Sequence, residues 1–221
     1  MLEVPSEKIC VVYPGIDAAR FAAPVETLTS IKAAFKLPDR FLLMVGTIEP
    51  RKNHRRVFEA YRILKDKLGA GLPPLVLAGK KGYQAEKILA RIQELGLSDS
   101  IYYLGLLGEE QLQALYRLAH ILLYPSLGEG FGFPILEAMA AETAVVTGRT
   151  SSMPEVGGEA ALYVDPDSAE EIAAKTLAIL ENRELHAALV HQGLARVQRF
   201  SWRETAEAML KVYRMAFSKT F

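Results

Sequence analysis

The sequence predicts a doubly wound α/β domain: a parallel sheet, Rossmann-like, with helices on both faces. Three observations carry that expectation. Short apolar runs alternate with amphipathic helical stretches along most of the chain. Several of those runs are continuously apolar, as strands buried on both faces require. The 221 residues, half of them hydrophobic and 24% charged, suit a folded soluble chain that would bury roughly 70% of its unfolded surface. Disorder, collagen and a whole-chain coiled coil are thereby excluded.

The strand candidates, in order, are Ile9 to Tyr13, Phe41 to Gly46, Leu75 to Ala78, Ile101 to Leu104, Ile121 to Tyr124, Ala144 to Thr147 and Ala161 to Val164. Helical periodicity falls between them at Thr27 to Phe35, Asn53 to Leu68, Gln84 to Leu95, Glu109 to Arg117 and Phe133 to Ala140. After Val164 the pattern turns helical. Ser168 and Glu171 form a capping-box pair, and further helices are expected at Arg183 to Arg199 and Ser201 to Phe217. Residues 1–26 therefore read as a strand and a linker arriving from something upstream, 8–200 as the Rossmann-like domain, and 201–221 as a C-terminal helix.

Several function classes drop out. Lysine plus arginine equals aspartate plus glutamate, 26 each. A chain living on nucleic acid or anionic lipid carries a basic excess, and the aromatics form no stacking series. A single cysteine, Cys10, excludes an internal disulfide and points to a reducing compartment, the cytoplasm. No apolar run is long enough to cross a bilayer, and Met1 to Lys8 lacks a signal-peptide core. There is no GxGxxG opening the first unit and no GxxxxGK[ST]. Asp165-Pro166-Asp167 reads as turn chemistry. His54, His120, His186 and His191 lack metal spacing, the last two read as solvated, and no metal site is expected.

Ligands of such sheets bind beyond the carboxyl ends of the strands, so two loops matter. The first runs Gly46-Thr47-Ile48-Glu49-Pro50-Arg51-Lys52-Asn53. Gly46 permits close backbone approach, Asn53 suits a helix cap, and Arg51 and Lys52 would stand at a helix start as a phosphate clamp. A merely solvated basic helix start is the alternative. The second loop runs from Pro125 through Gly128, Glu129, Gly130, Phe131, Gly132 and Phe133 to Pro134. Its alternating glycines allow close approach, and Pro134 fits a first helical turn. The N–H groups near Phe131 to Phe133 would form an anion nest. Glu129, and Glu137 one turn into the helix, are carboxylates able to accept sugar or ribose hydroxyls.

These loops, with Leu77-Ala78-Gly79-Lys80, Tyr103-Leu104-Gly105, Pro125-Ser126 leading into GEGFGFPILEAMA, Ser152-Met153-Pro154-Glu155-Val156 and Ala160 to Pro166, resemble the C-terminal domain of family 4 glycosyltransferases, in particular bacterial mannosyltransferase-like members. The resemblance spans residues 8 to about 215. It implies the donor half of a two-domain GT-B enzyme that transfers a hexose from a GDP- or UDP-linked sugar, with retention and without metal or other cofactor. The acceptor would be a sugar or lipid-linked sugar, held by an N-terminal domain lying before this chain, through which peripheral membrane association would arise. By position, Lys52 matches the diphosphate-binding lysine, and Arg51 stands in for an arginine that many members carry where this chain has Thr47. Glu129 matches the glutamate beside the transferred sugar. Gly130, Phe131, Gly132 and Phe133 match the backbone at the phosphates, and Glu137 the ribose-holding glutamate. Gly46 and Thr47 belong to the donor set, and Leu104, at the third strand's end, lies where the base would pack. One departure is Glu142-Thr143-Ala144, where the family has Gly-x-Pro. A non-catalytic nucleotide-binding module is the alternative; a sugar-nucleotide 2-epimerase would need acid–base groups that the sequence does not offer.

Overall fold

The computed structural model describes residues 4–22 and 24–218. One six-stranded sheet forms its centre: β1 Leu42–Val45, β2 Leu75–Ala78, β3 Ile101–Tyr103, β4 Ile121–Tyr124, β5 Ala144–Gly148 and β6 Leu162–Val164. Its spatial order is β3-β2-β1-β4-β5-β6, every neighbouring pair parallel. Leu42 of β1 lies opposite Leu75 on one side and Ile121 on the other. The order reverses between β1 and β4, and a crevice opens at such a switch point, beyond the carboxyl ends of the strands.

The helices are α1 Val25–Ala34, α2 His54–Leu68, α3 Ala85–Glu94, α4 Glu109–Leu118, α5 Phe133–Ala140, α6 Met153–Gly157, α7 Ala169–Glu181, α8 Arg183–Val197 and α9 Trp202–Ser218. Strand residues alternate between two apolar layers, as the pleat demands. Leu42, Met44, Leu75, Leu77, Ile121 and Leu123 pack with Phe58 and Tyr61 of α2, Ile88 of α3 and Ile172 of α7. Leu43, Val76, Leu122 and Tyr124 pack on the other face with Tyr116 of α4 and Leu136 and Met139 of α5. The doubly wound sheet expected from the alternating runs is thus the fold.

Two expectations need correction. No strand forms over Ile9 to Tyr13. That run pairs with no strand and lies along α9, where Thr205 Oγ1 donates to the Tyr13 carbonyl at 2.8 Å, leaving Ile9 and Val11 exposed. His186 is not merely solvated, because its ring stacks on His120 with centroids 4.1 Å apart. Asp165 does make turn chemistry: its Oδ1 accepts from the Asp167 N–H at 2.9 Å. The capping box is half made. Ser168 Oγ accepts from the Glu171 N–H at 3.1 Å, while the Glu171 carboxylate goes to the Asp165 N–H and Arg149. At the departure, Glu142 takes the left-handed φ of +59° that suits glycine, its carboxylate 2.7 Å from Arg117, and β5 begins at Ala144 as expected.

A charged cluster at the switch point

The loop after β1 turns at Gly46, whose N–H donates to the Ala78 carbonyl at 2.9 Å. Gly46 has φ +139°, and a Cβ there would meet Lys52 Cε at 3.2 Å, so the missing side chain makes room for the lysine stem. Pro50–Lys52 form a single 3-10 turn before α2. That turn points Lys52 at the loop after β4. Lys52 Nζ donates to Glu129 Oε1 and to the Tyr124 hydroxyl, each at 2.6 Å. Arg51 Nη1 donates to Glu129 Oε2 at 2.6 Å and to the Gly128 carbonyl at 2.8 Å, and its Nη2 donates to Glu49 at 2.9 Å.

The two cations differ in setting. The Lys52 side chain is 11% exposed and that of Glu129 only 8%, whereas Arg51 is 48% exposed. Burial opposes ionisation of Glu129. Hydrogen bonds, that from Lys52 foremost and those from Tyr124 and Arg51 with it, outweigh burial and hold the carboxyl below its ordinary range. Glu129 is therefore an anion at neutral pH, and the cluster of Arg51, Lys52, Glu49 and Glu129 is internally balanced.

The glycine-rich loop is pinned from three sides. The Leu127 N–H donates to the Arg51 carbonyl at 2.9 Å, the Glu129 N–H to Ser151 Oγ at 2.9 Å, and Ser152 Oγ to the Phe131 carbonyl at 2.8 Å. Of its three glycines only Gly132 needs to be one, with φ +105°; a Cβ at Gly128 or Gly130 would meet open space. The N–H groups of Gly130, Phe131, Gly132 and Phe133 meet no acceptor among the described residues. They stand at the start of α5, where aligned peptide dipoles favour an anion.

Glu137 accepts from the buried Tyr116 hydroxyl at 2.7 Å. Burial pushes its carboxyl up, and the Tyr116 hydrogen bond offsets part of that. It lines a small recess of about 170 Å³ with Phe133, Gln113, Asp17 and Trp202. A larger cavity of about 380 Å³ lies beyond β1 and β2, lined by Gly46, Thr47, Gly79, Lys80, Leu106 and Leu107, with Leu112 of α4 behind. Helix α4 thus separates the two spaces, Leu112 facing one and Gln113 the other.

The structure therefore brings together Gly46, Arg51, Lys52 and Glu129, and sets Thr47 in the adjoining cavity. Two expected placements change. Leu104 does not line that cavity but packs against the core layer that holds Tyr116, while Leu106 and Leu107, after the turn at Gly105 with φ +74°, line it. Asn53 does not cap α2: its amide donates to the Pro125 and Pro166 carbonyls. Sequence reading also gave no site role to Tyr124, Ser151 and Ser152. Ser151-Ser152 ahead of Met153-Pro154 is a helix-start pattern that could have flagged α6.

The chain resembles known proteins in both sequence and fold. The family model described as glycosyl transferases group 1 matches residues 27–196. The chain belongs to the group 1 glycosyltransferases. It is 34% identical over 194 residues to O-antigen chain mannosyltransferase B of Escherichia coli, covering 87% of this chain and 50% of that protein. This group 1 glycosyltransferase chain thus spans half the length of that relative. Among solved structures it superposes on a glycosyltransferase from Rickettsia africae with a TM-score of 0.87 at 20% identity, covering 96% of this chain and 58% of that one. Anabaena HepE in complex with UDP and glucose gives a TM-score of 0.85 at 18% identity, with 96% and 58% covered. At those identities the likeness is one of fold.

Proposed function

We propose that this chain is the C-terminal, donor-binding half of a GT-B, family 4 glycosyltransferase. It transfers a hexose, in the first place mannose, from a GDP- or UDP-linked sugar to an acceptor hydroxyl in polysaccharide or glycolipid synthesis. The observation that carries the reading is the part-buried Lys52–Glu129 pair at the switch point, beside the unpaired N–H groups at the start of α5. The mannosyltransferase relative supports the choice of sugar.

The donor lies across the crevice in this reading. The diphosphate sits between the start of α5 and the Lys52 and Arg51 cations. The base enters the apolar cavity against Leu106, Leu107 and Leu112, and the ribose reaches Glu137 past the first turn of α4. As the glycosidic bond breaks, an electron pair moves onto the leaving phosphate oxygen. Lys52, Arg51 and the α5 dipole stabilise that charge without a metal ion. Glu129, released from the cations it holds in the free protein, accepts a hydroxyl of the transferred sugar. The acceptor hydroxyl attacks from the face that the diphosphate leaves, its oxygen bonding the anomeric carbon while its proton passes to the departing phosphate oxygen, with retention of configuration.

The acceptor groups and any contact with a membrane surface belong, in this reading, to an N-terminal domain, and the enzyme works in the cytoplasm. The chain alone then binds the donor and transfers nothing, because near-attack positioning of the acceptor is missing. The test joins this chain to the N-terminal half of its mannosyltransferase relative and assays transfer of labelled mannose, with and without a chelator. Chelator-insensitive transfer by the joined protein alone supports the proposal. Donor binding without transfer in either form favours a non-catalytic nucleotide-binding module, and transfer abolished by the chelator removes the metal-free mechanism.

A further inference from the structure

The side chain of Asn53 ties three loops together. It follows Lys52 directly and takes the left-handed conformation, φ 62° and ψ 30°. That backbone is the exit from the 3-10 turn Pro50–Lys52 into α2. Asparagine tolerates it better than most residues. The side chain is spent elsewhere than on a cap. Nδ2 donates to the Pro125 carbonyl at 2.9 Å and to the Pro166 carbonyl at 2.7 Å. Pro125 opens the loop that carries Glu129, and Pro166 lies in the turn between β6 and α7. Both acceptors are proline carbonyls, and a proline's ring fixes φ, which stiffens the two anchors.

We infer that Asn53 is a positioning residue for donor binding, and this rests on the diphosphate reading of the site. Lys52 reaches Glu129 across the switch point only while the loops after β1 and β4 keep their spacing. Arg51 contributes to that spacing through its carbonyl, which accepts from the Leu127 N–H, and through its half-exposed side chain, which donates to Gly128 and Glu129. The part-buried Asn53 amide is a second side-chain bridge one residue from Lys52, and it alone of the two also reaches the Pro166 turn. It uses both of its N–H donors and touches no ligand position itself. Its effect on the donor is to hold the ammonium where the phosphate arrives, so that no loop ordering accompanies binding.

Asn53→Gly removes both hydrogen bonds and leaves the left-handed backbone unstrained, so the variant folds. Titration with GDP and with guanosine should show the diphosphate weakened about tenfold, because binding must then order the released loops, and guanosine unchanged. In a Lys52→Ala background, Asn53→Gly should have little further effect on GDP, since the residue acts through the lysine. Equal losses for GDP and guanosine, or additive effects in the double variant, would overturn the inference. Amide hydrogen exchange tests it without any ligand. Asn53→Asp keeps the shape and loses the donors, and should speed exchange at Lys52 and across residues 127–132 together while β1 and β4 stay protected. Wild-type rates in both loops would overturn the inference. Wild-type protein with no preference for GDP over guanosine would sink the donor reading itself, with the exchange result still deciding the clamp.

Discussion

Glu129 answers to two partners, and only one of them is present in the free protein. Its carboxylate balances Lys52 and Arg51, occupying the cations that the proposed diphosphate needs. Binding is then an exchange of one anion for another, which gives an unusual sign to a charge-removing substitution. Glu129→Gln should tighten GDP several-fold, because an uncompensated positive charge is left in a largely buried site. GDP-mannose should gain less than GDP, since the sugar loses its acceptor. Calorimetric titration of both ligands checks this, and weaker GDP binding would contradict it. Glu137 needs more care, because Tyr116 is buried and donates to it. Glu137→Ala strands that hydroxyl and should cost about 1–3 kcal/mol of stability. Glu137→Gln still accepts from Tyr116, so it should keep the melting temperature and lose affinity for GDP, but not for the dideoxyribose analogue. A parallel loss for both ligands would take Glu137 out of the site. The carboxylates and cations were legible because charged residues beside glycines at strand ends have few structural reasons to be there. Their pairing was not, because it depends on which strands are neighbours. The same holds for Asn53, whose type suggested a cap while its partners lie 72 and 113 residues away.

At the scale of elements, strands buried on both faces were readable as unbroken apolar runs, and β2 and β4 fall on the expected residues. Ile9 to Tyr13 has the same local pattern and no strand, since pairing needs an edge that no run of five residues can announce. Helix α2 carries a feature with a pH signature. His54, its first residue, is 1% exposed, and burial lowers its imidazole from 6.5 to about 4, with Lys52 adding to the shift. The folded state therefore binds fewer protons than the unfolded chain between those values, so stability falls as pH drops from about 6.5 to 4. The shift corresponds to about 3 kcal/mol for this one group. Urea unfolding at pH 7 and pH 4.5 measures it. His54→Gln should reduce the slope over that window without abolishing it, because burial also lowers the His120 imidazole to about 4, and an unchanged slope would mean that the His54 imidazole is protonated in the fold.

At the largest scale the described residues form one six-stranded sheet, and the proposed donor site lies beyond its carboxyl ends where the strand order turns from β1 to β4. No helix among the described residues is long and apolar enough to cross a membrane. The central claim is that a nucleoside diphosphate binds at that turning point through Lys52. Calorimetric titration of GDP, UDP and their nucleosides against the wild-type chain and Lys52→Ala, in the presence of a chelator, tests it most directly. Loss of a charge-assisted hydrogen bond at a partly buried phosphate is worth about 1.5–3 kcal/mol, so the account predicts that Lys52→Ala weakens the diphosphate about ten- to a hundredfold and leaves the nucleoside unaffected. Equal affinity of both proteins for the diphosphate, or binding that appears only when magnesium or manganese is restored, would contradict it.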